Sequence, residues 1–368
     1  MNLRHGLRAG RRLLRGNVDD RVATAIFFVT DDCNARCDYC FNTRLSHRNG
    51  EKTRGRRLDA DELRQIARHL GRLYQVILSG GEPFLRRDLG EVLRGLLDES
   101  RPAIVTLPTN GSLPERVLPV LEEAAREHPA TVFNLGLSLD AVGEAHDQLR
   151  RLPGGYAKAL GLGRAVQRLG QRLGNVNLVV NSLATRETLD GLPALFEALA
   201  SAFEGAEWFH NLQFDQRLQA DPLEDPALEE QLRRLQALER EARERRAGRL
   251  GRLIEGAYVD GLNALLRRQL GEGRMIYACN AGRKLIVVAS DGTLSPCEPF
   301  LFEEHYAARR SFDLREHGLD FYRLRATPEY RAELEFIEAG KCAACPWSCA
   351  AITSLLFEPG QWQRFWVT

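Results

Sequence analysis

Cys33, Cys37 and Cys40 are the residues of this chain best suited to chemistry. They lie in Asp32-Cys33-Asn34-Ala35-Arg36-Cys37-Asp38-Tyr39-Cys40-Phe41, with the spacing C-x3-C-x2-C. Cysteine thiolates bind soft metals and iron–sulfur clusters. Three on one short loop can hold three irons of a 4Fe–4S cube, leaving the fourth iron open to a small molecule. The same residues would also suit zinc if a further ligand came from elsewhere in the chain. An apolar run, Val22 to Thr30, precedes them and places the loop at the end of a strand.

A second cysteine group occupies the C-terminal region: Cys279, Cys297, Cys342, Cys345 and Cys349. Twelve residues separate Cys279 from Gly292, and four more precede Cys297. Lys284–Ala289, Ser290-Asp291-Gly292 and Thr293–Pro296 read as a β-hairpin with a glycine turn. Such a hairpin would bring Cys279 and Cys297 together at its base. With Cys342-Ala343-Ala344-Cys345, this set would also make a zinc ribbon. All eight cysteines fall in these two groups, which reads as metal binding in a reducing compartment rather than a disulfide framework. A cytoplasmic location is expected.

The elements that must position these residues alternate between strand and helix. Candidate strands are Ala23–Thr30, Gln75–Ser79, Ala103–Leu107, Thr131–Leu137, Asn175–Asn181 and Glu207–Phe214. Helical patterns lie near Asp59–Leu70, Leu89–Glu99, Pro114–Glu127, Tyr156–Leu173 and Leu189–Ala202, and Asp59 with Glu62 makes a capping box. Six such repeats imply an α/β fold with a parallel sheet, a partial (β/α)6 TIM-like barrel whose ligands gather at the C-terminal strand ends. The expected organisation is a basic N-terminal tail (1–20), the barrel (21–214), a helical bridging segment (215–274) and a C-terminal domain of β-hairpin plus helices (275–368). The tail carries Arg4, Arg8, Arg11, Arg12 and Arg15 and is expected to be solvated. Charged helices are expected near Glu229–Arg249 and Tyr258–Leu270. Net charge is +1 and hydrophobic residues make up 44%, so neither nucleic acid nor a membrane is an expected partner.

Other motifs follow the strands. Ser79-Gly80-Gly81-Glu82-Pro83 comes after the second, where paired glycines let backbone approach a ligand closely. Glu82 can accept a charge-assisted bond from an ammonium group. Thr109-Asn110-Gly111 follows the third strand. Ser138-Leu139-Asp140 and then His146-Asp147-Gln148-Leu149-Arg150 follow the fourth.

C-x3-C-x2-C followed one βα unit later by GGEP resembles the radical S-adenosylmethionine (SAM) superfamily. The resemblance implies a SAM-binding 4Fe–4S cluster on Cys33, Cys37 and Cys40. It implies SAM contacts from Tyr39 against the adenine, Gly80, Gly81 and Glu82 at the amino group, Ser138 as a polar contact, and Arg150 at the carboxylate. Ala141 stands where relatives often have Gly, which affects a turn more than the chemistry. Asn181, Leu212 and Gln213 are positioned to contact the nucleoside.

The second group resembles the C-x(9–15)-G-x4-C signature of SPASM and twitch domains. Five cysteines are too few for the two auxiliary clusters of a full SPASM domain. The twitch form implies one auxiliary 4Fe–4S cluster on Cys279, Cys297, Cys342 and Cys345, with Cys349 as an extra ligand or a buried thiol. Two 4Fe–4S clusters and SAM are therefore the implied cofactors.

The implied activity is that of a radical SAM oxidoreductase or maturase, forming a 5'-deoxyadenosyl radical that abstracts hydrogen. Its electron comes from a one-electron donor such as flavodoxin or ferredoxin. Oxidative modification of a ribosomally made peptide is the first expectation. A winged-helix peptide-recognition domain has no room before the first strand, so a separate recognition protein would fill that role. A sugar or aminocyclitol dehydrogenase or epimerase is the alternative, and a non-enzymatic zinc-binding protein a distant one. No residue is identified as the catalytic acid or base; Asp215 and Glu298 are carboxylates near the expected site edges.

Overall fold

In the computed structural model, the described residues are 10–40 (except 12 and 15), 56–204, 208–214, 230, 233–235, 237, 238, 241, 261–302 (except 263 and 267), 306 and 311–360 (except 343, 346 and 359). Six strands run parallel: β1 (Thr24–Phe28), β2 (Gln75–Ser79), β3 (Ile104–Thr109), β4 (Val132–Ser138), β5 (Val176–Ala184) and β6 (Phe209–Phe214). Each pairs with its predecessor in the chain, the order of an open barrel.

Helices α1 (Ala60–Leu70), α2 (Leu89–Ser100), α3 (Pro114–Glu127), α4 (Glu144–Arg150), α5 (Gly155–Leu173) and α6 (Leu192–Ala202) separate the strands. The expected capping box starts α1: the Glu62 backbone N–H donates to Asp59 at 2.8 Å, and Asp59 N–H donates back to Glu62 at 3.0 Å. Strand residues alternate between faces. Val76, Leu78, Val105, Leu107, Phe133, Leu135, Leu137, Leu178 and Val180 point outward and are buried with Leu63, Ile66, Val92, Val117, Leu121, Leu162 and Leu195 from the helices. Each such leucine contributes about 1.5–3 kcal/mol by leaving water.

The C-terminal region adds β7 (Leu285–Val288), β8 (Thr293–Ser295) and β9 (Phe312–Asp313) to the same sheet. The expected hairpin is β7–β8, antiparallel with Val287 opposite Ser295. Strand β7 also pairs parallel with β1, Thr24 opposite Leu285. The C-terminal region thus continues the barrel sheet past β1. Around it lie α7 (Glu298–Phe302), α8 (Phe321–Arg325), α9 (Pro328–Glu338) and α10 (Ser348–Leu356).

Part of the expected N-terminal tail is structured. The described positions 10–18 are helical, and Asn17 Nδ2 donates to the Leu356 carbonyl at 3.1 Å. The described positions between 230 and 241 are also helical, as expected; Leu235 is buried against the barrel core and Leu238 packs beside it. The rest of Glu229–Arg249, and Asp215, lie outside the described residues. Among the described residues no helix is long and apolar enough to cross a membrane.

Candidate active site: the cysteine loop and its neighbours

The cysteine loop leaves the C-terminal end of β1 and is tied to the next three loops and to the hairpin. The Gly81 N–H donates to the Thr30 carbonyl and the Glu82 N–H to the Asp32 carbonyl, both at 2.8 Å. A Cβ on Gly80 would collide with Thr30 backbone, and one on Gly81 with Asp32 backbone. Gly80 also has φ of 144°, which a side chain disfavours. Asn34 accepts from Asn110 Nδ2 and donates to Ser112 Oγ, each at 2.8 Å. The Arg36 N–H donates to the Arg150 carbonyl at 3.0 Å. From the hairpin turn, Ser290 Oγ donates to Asp31 Oδ2 at 2.8 Å.

Glu82 is 1% exposed. One oxygen accepts from Thr109 Oγ1 at 2.9 Å and the Phe84 N–H at 3.3 Å; the other accepts from the Asn110 N–H at 2.8 Å. From its motif, this carboxylate is a candidate acceptor for a ligand's ammonium group. In the structure it joins the GGE loop to the Thr109-Asn110-Gly111 loop. Burial pushes its carboxyl above the ordinary value, and these bonds oppose the rise.

Tyr39 and Arg150 converge on Asp140. The Tyr39 hydroxyl donates to Asp140 Oδ2 at 2.6 Å, and Arg150 reaches the same oxygen through Nε at 2.8 Å and Nη2 at 2.5 Å. Burial pushes the Asp140 carboxyl up, but the Arg150 charge and the bonds from Tyr39 and the Leu183 N–H outweigh it, so it lies below the ordinary value. His146 is fully buried, and its Nδ1 accepts from the Asp140 N–H at 3.3 Å. Burial, then the Arg150 charge, lowers the imidazole to about 4, so it is neutral near pH 7. Ser138 ends β4 opposite Asn181 of β5.

Burial pushes the Cys37 thiol up to about 11, against the pull of the Arg150 charge and with further upward pushes from Cys40, Asp140 and Cys33. Burial also raises Cys33, where Cys40 and Arg150 again act in opposite directions. The three thiols therefore stand within electrostatic reach of one another and of Arg150. Among the described residues, no three His, Cys, Asp or Glu groups converge closely enough to hold a single metal ion.

The second cysteine group is also gathered. Burial raises the Cys297 thiol well above the usual range, with contributions from Cys345, Cys279 and Cys342. Cys279, Cys297, Cys342 and Cys349 pack with Ile26 and Phe28, the inward side of β1. These residues fit a buried cluster that takes its ligands from the hairpin and the C-terminal loop. Cys349 lies 2.5 Å from Glu298 Oε2, and burial pushes that carboxyl up to about 7 against the Cys349 bond. Glu298 is therefore placed beside the second cysteine group. Gln269, not picked out in the sequence, donates to the Cys345 carbonyl at 2.7 Å and accepts from the Ile276 N–H at 3.1 Å.

The inward face of the barrel carries Gln75, Ile77 and Ser79; Ile104, Thr106 and Pro108; Asn134, Gly136 and Ser138; Asn177, Val179, Asn181 and Leu183; and Phe209, Asn211 and Gln213. Several of the amides pair across strands. Asn177 donates to Asn134 at 2.9 Å, Asn211 to Asn181 at 3.0 Å, and Gln75 to Thr106 at 3.2 Å. None of these inward positions on β2–β6 is charged. A separate cleft lined by Asp20, Arg283, Tyr322 and Arg325 lies at the N-terminal ends of β1 and β7, away from the cysteine loop.

Residues 27–191 match the family model described as the Radical SAM superfamily. A probable GTP 3',8-cyclase of Methanococcus maripaludis is 30% identical over 176 residues, covering 46% of this chain and 52% of the relative. An Fe-coproporphyrin III synthase of Methanosarcina barkeri is 25% identical over 213 residues, covering 57% and 49%. The chain thus spans about half the length of the curated relatives it matches. Among solved structures, Streptococcus suis SuiB bound to precursor peptide SuiA aligns with TM-score 0.56 and 16% identity over 90% of this chain and 70% of SuiB. Native anSMEcpe with bound AdoMet aligns with TM-score 0.56 and 19% identity over 94% of this chain and 96% of its own. These two likenesses show the fold. The matched residues include the cysteine loop, the GGE loop and Arg150, all brought to the C-terminal ends of β1–β4, and over this stretch the chain is similar to the radical SAM superfamily.

Proposed function

We propose that this protein is a radical SAM enzyme that oxidatively modifies a peptide, with Cys33, Cys37 and Cys40 holding a SAM-binding 4Fe–4S cluster. When bound, the cluster and SAM supply a 5'-deoxyadenosyl radical that abstracts hydrogen from the substrate. The chain's own residues bind and orient. Arg150 offers a planar cation for the SAM carboxylate, Ser138 a hydroxyl and Tyr39 an aromatic face. Gly80, Gly81 and Glu82 would meet the SAM amino group, the paired glycines letting backbone approach it. The helices outside and the packed strands keep water from a reactive carbon radical. Cys279, Cys297, Cys342 and Cys345 would hold an auxiliary cluster, whose full cysteine ligation suits electron transfer and hence net oxidation. A flavodoxin or ferredoxin is the proposed electron donor.

The uncharged inward face of β2–β6 carries the substrate assignment. A nucleoside triphosphate calls for Arg or Lys clamps, whereas amide and hydroxyl side chains pair well with a peptide backbone. This favours a peptide substrate, such as the precursor peptide bound by SuiB, over the GTP named for the cyclase relatives. A neutral sugar would also suit these side chains and is the second reading.

The chemistry is tested by anaerobic reconstitution of wild type and a Cys33→Ala/Cys37→Ala/Cys40→Ala variant, with iron, sulfide, zinc and 5'-deoxyadenosine quantified. About eight irons per chain should fall to about four in the variant, and only wild type should cleave SAM. Zinc in place of iron, with no SAM cleavage, would sink the enzyme reading.

A further inference from the structure

The Asp140 carboxylate accepts four hydrogen bonds, and it is 1% exposed. Oδ2 accepts from the Tyr39 hydroxyl and from two nitrogens of Arg150, and Oδ1 accepts from the Leu183 N–H at 2.9 Å. A carboxylate offers roughly four acceptor sites. Three of these bonds fall on Oδ2 and one on Oδ1, and at this burial the carboxylate presents almost no surface to a ligand.

Stability alone does not account for this arrangement. A buried carboxylate–guanidinium pair must overcome the desolvation of both ions, and well-packed apolar residues often do as well. What the pair does provide is direction. Arg150 uses Nε and Nη2 on Asp140, and its side chain is only 12% exposed. Its Nη1 has no protein acceptor among the described residues. A guanidinium is planar, so fixing one edge fixes where the other points. That other edge belongs to a cation whose charge reaches Cys33, Cys37 and Glu82. Behind Asp140, His146 holds its backbone N–H, and the Arg36 N–H of the cysteine loop holds the Arg150 carbonyl.

We propose that Asp140 is a positioning residue of the SAM site: without touching SAM, it aims the free edge of Arg150 at the ligand's carboxylate and anchors Tyr39 through its hydroxyl. The inference rests on reading Cys33, Cys37 and Cys40 as the SAM-binding loop. It predicts that Asp140 controls SAM affinity but not cluster assembly.

The test uses the full chain, reconstituted anaerobically, as wild type, Asp140→Asn, Tyr39→Phe and Arg150→Lys. Each is assayed for iron content, for the electron paramagnetic resonance spectrum of the reduced protein with and without SAM, and for SAM Kd by equilibrium dialysis. Asp140→Asn should keep wild-type iron and the SAM-free spectrum, while its Kd for SAM rises about tenfold or more and the SAM-induced spectral change weakens. Tyr39→Phe should shift Kd about threefold, because it removes one of the carboxylate's bonds. Arg150→Lys keeps the charge but lacks the second edge, so it should lose SAM affinity with iron retained even if Asp140→Asn folds poorly. Wild-type affinity in Asp140→Asn would overturn the proposal. So would joint loss of iron and SAM binding in both Asp140→Asn and Arg150→Lys, which marks a structural role. A wild type with no SAM-dependent spectral change would instead reject the SAM reading itself, a result separable from a silent Asp140 variant.

Discussion

At the scale of single residues, the site is organised by titratable groups removed from water. His146 shows the consequence most directly. Burial holds its imidazole at about 4, against about 6.5 for an unperturbed histidine. Between these values the unfolded chain binds a proton that the folded chain does not. His146 therefore contributes stability that is fully present above pH 6.5 and is lost as pH falls toward 4, by about 3 kcal/mol at most. Urea titrations of wild type and His146→Asn at several pH values should show the gap between them narrowing as pH drops through that window. A gap independent of pH would contradict the assignment. The motif containing His146 was visible as H-D-x-x-R, but its role in supporting Asp140 was not, because burial and a bond across a turn leave no mark on spacing.

At the scale of elements, regular segments were legible and their cross-links were not. Strand β2 and helix α3 have the bounds read from their patterns, and the capping box fixes the start of α1. Hydrophobic period and local capping are short-range properties, and they survive folding unchanged. The loops after β1, β2 and β3 form one bonded unit through Thr30, Asp32, Asn34, Glu82 and Asn110. Gly81 lies at its closest approach, where any Cβ would push on the Asp32 backbone beside Cys33. Gly81→Ala should therefore lower the iron retained after reconstitution to well under half of wild type. Gly90→Ala should leave iron unchanged, because Gly90 has only Val120 at 3.9 Å and lies within α2. Equal iron in the two variants would show that the loop tolerates the displacement.

At the scale of the whole molecule, the C-terminal region completes the barrel sheet. Strand β7 covers the free edge of β1, and Ile26 and Phe28, each 2% exposed, pack against the second cysteine group. A chain ending at residue 274 would leave β1 with an unpaired edge and an exposed apolar face, a template for aggregation. Size-exclusion chromatography should find that fragment in the void volume, while the full chain elutes as a discrete species; a folded, monodisperse fragment would argue against this dependence. From the sequence by itself came the cysteine spacings, the six-fold alternation of strand and helix, and the chemistry these imply, because each is written in local residue type and period. Only the tertiary structure decided that Glu82 braces loops, that Arg150 and Tyr39 share Asp140, and that the hairpin extends β1. These are contacts between residues tens to hundreds of positions apart, and their partners are selected by shape, burial and strand register rather than by sequence neighbourhood.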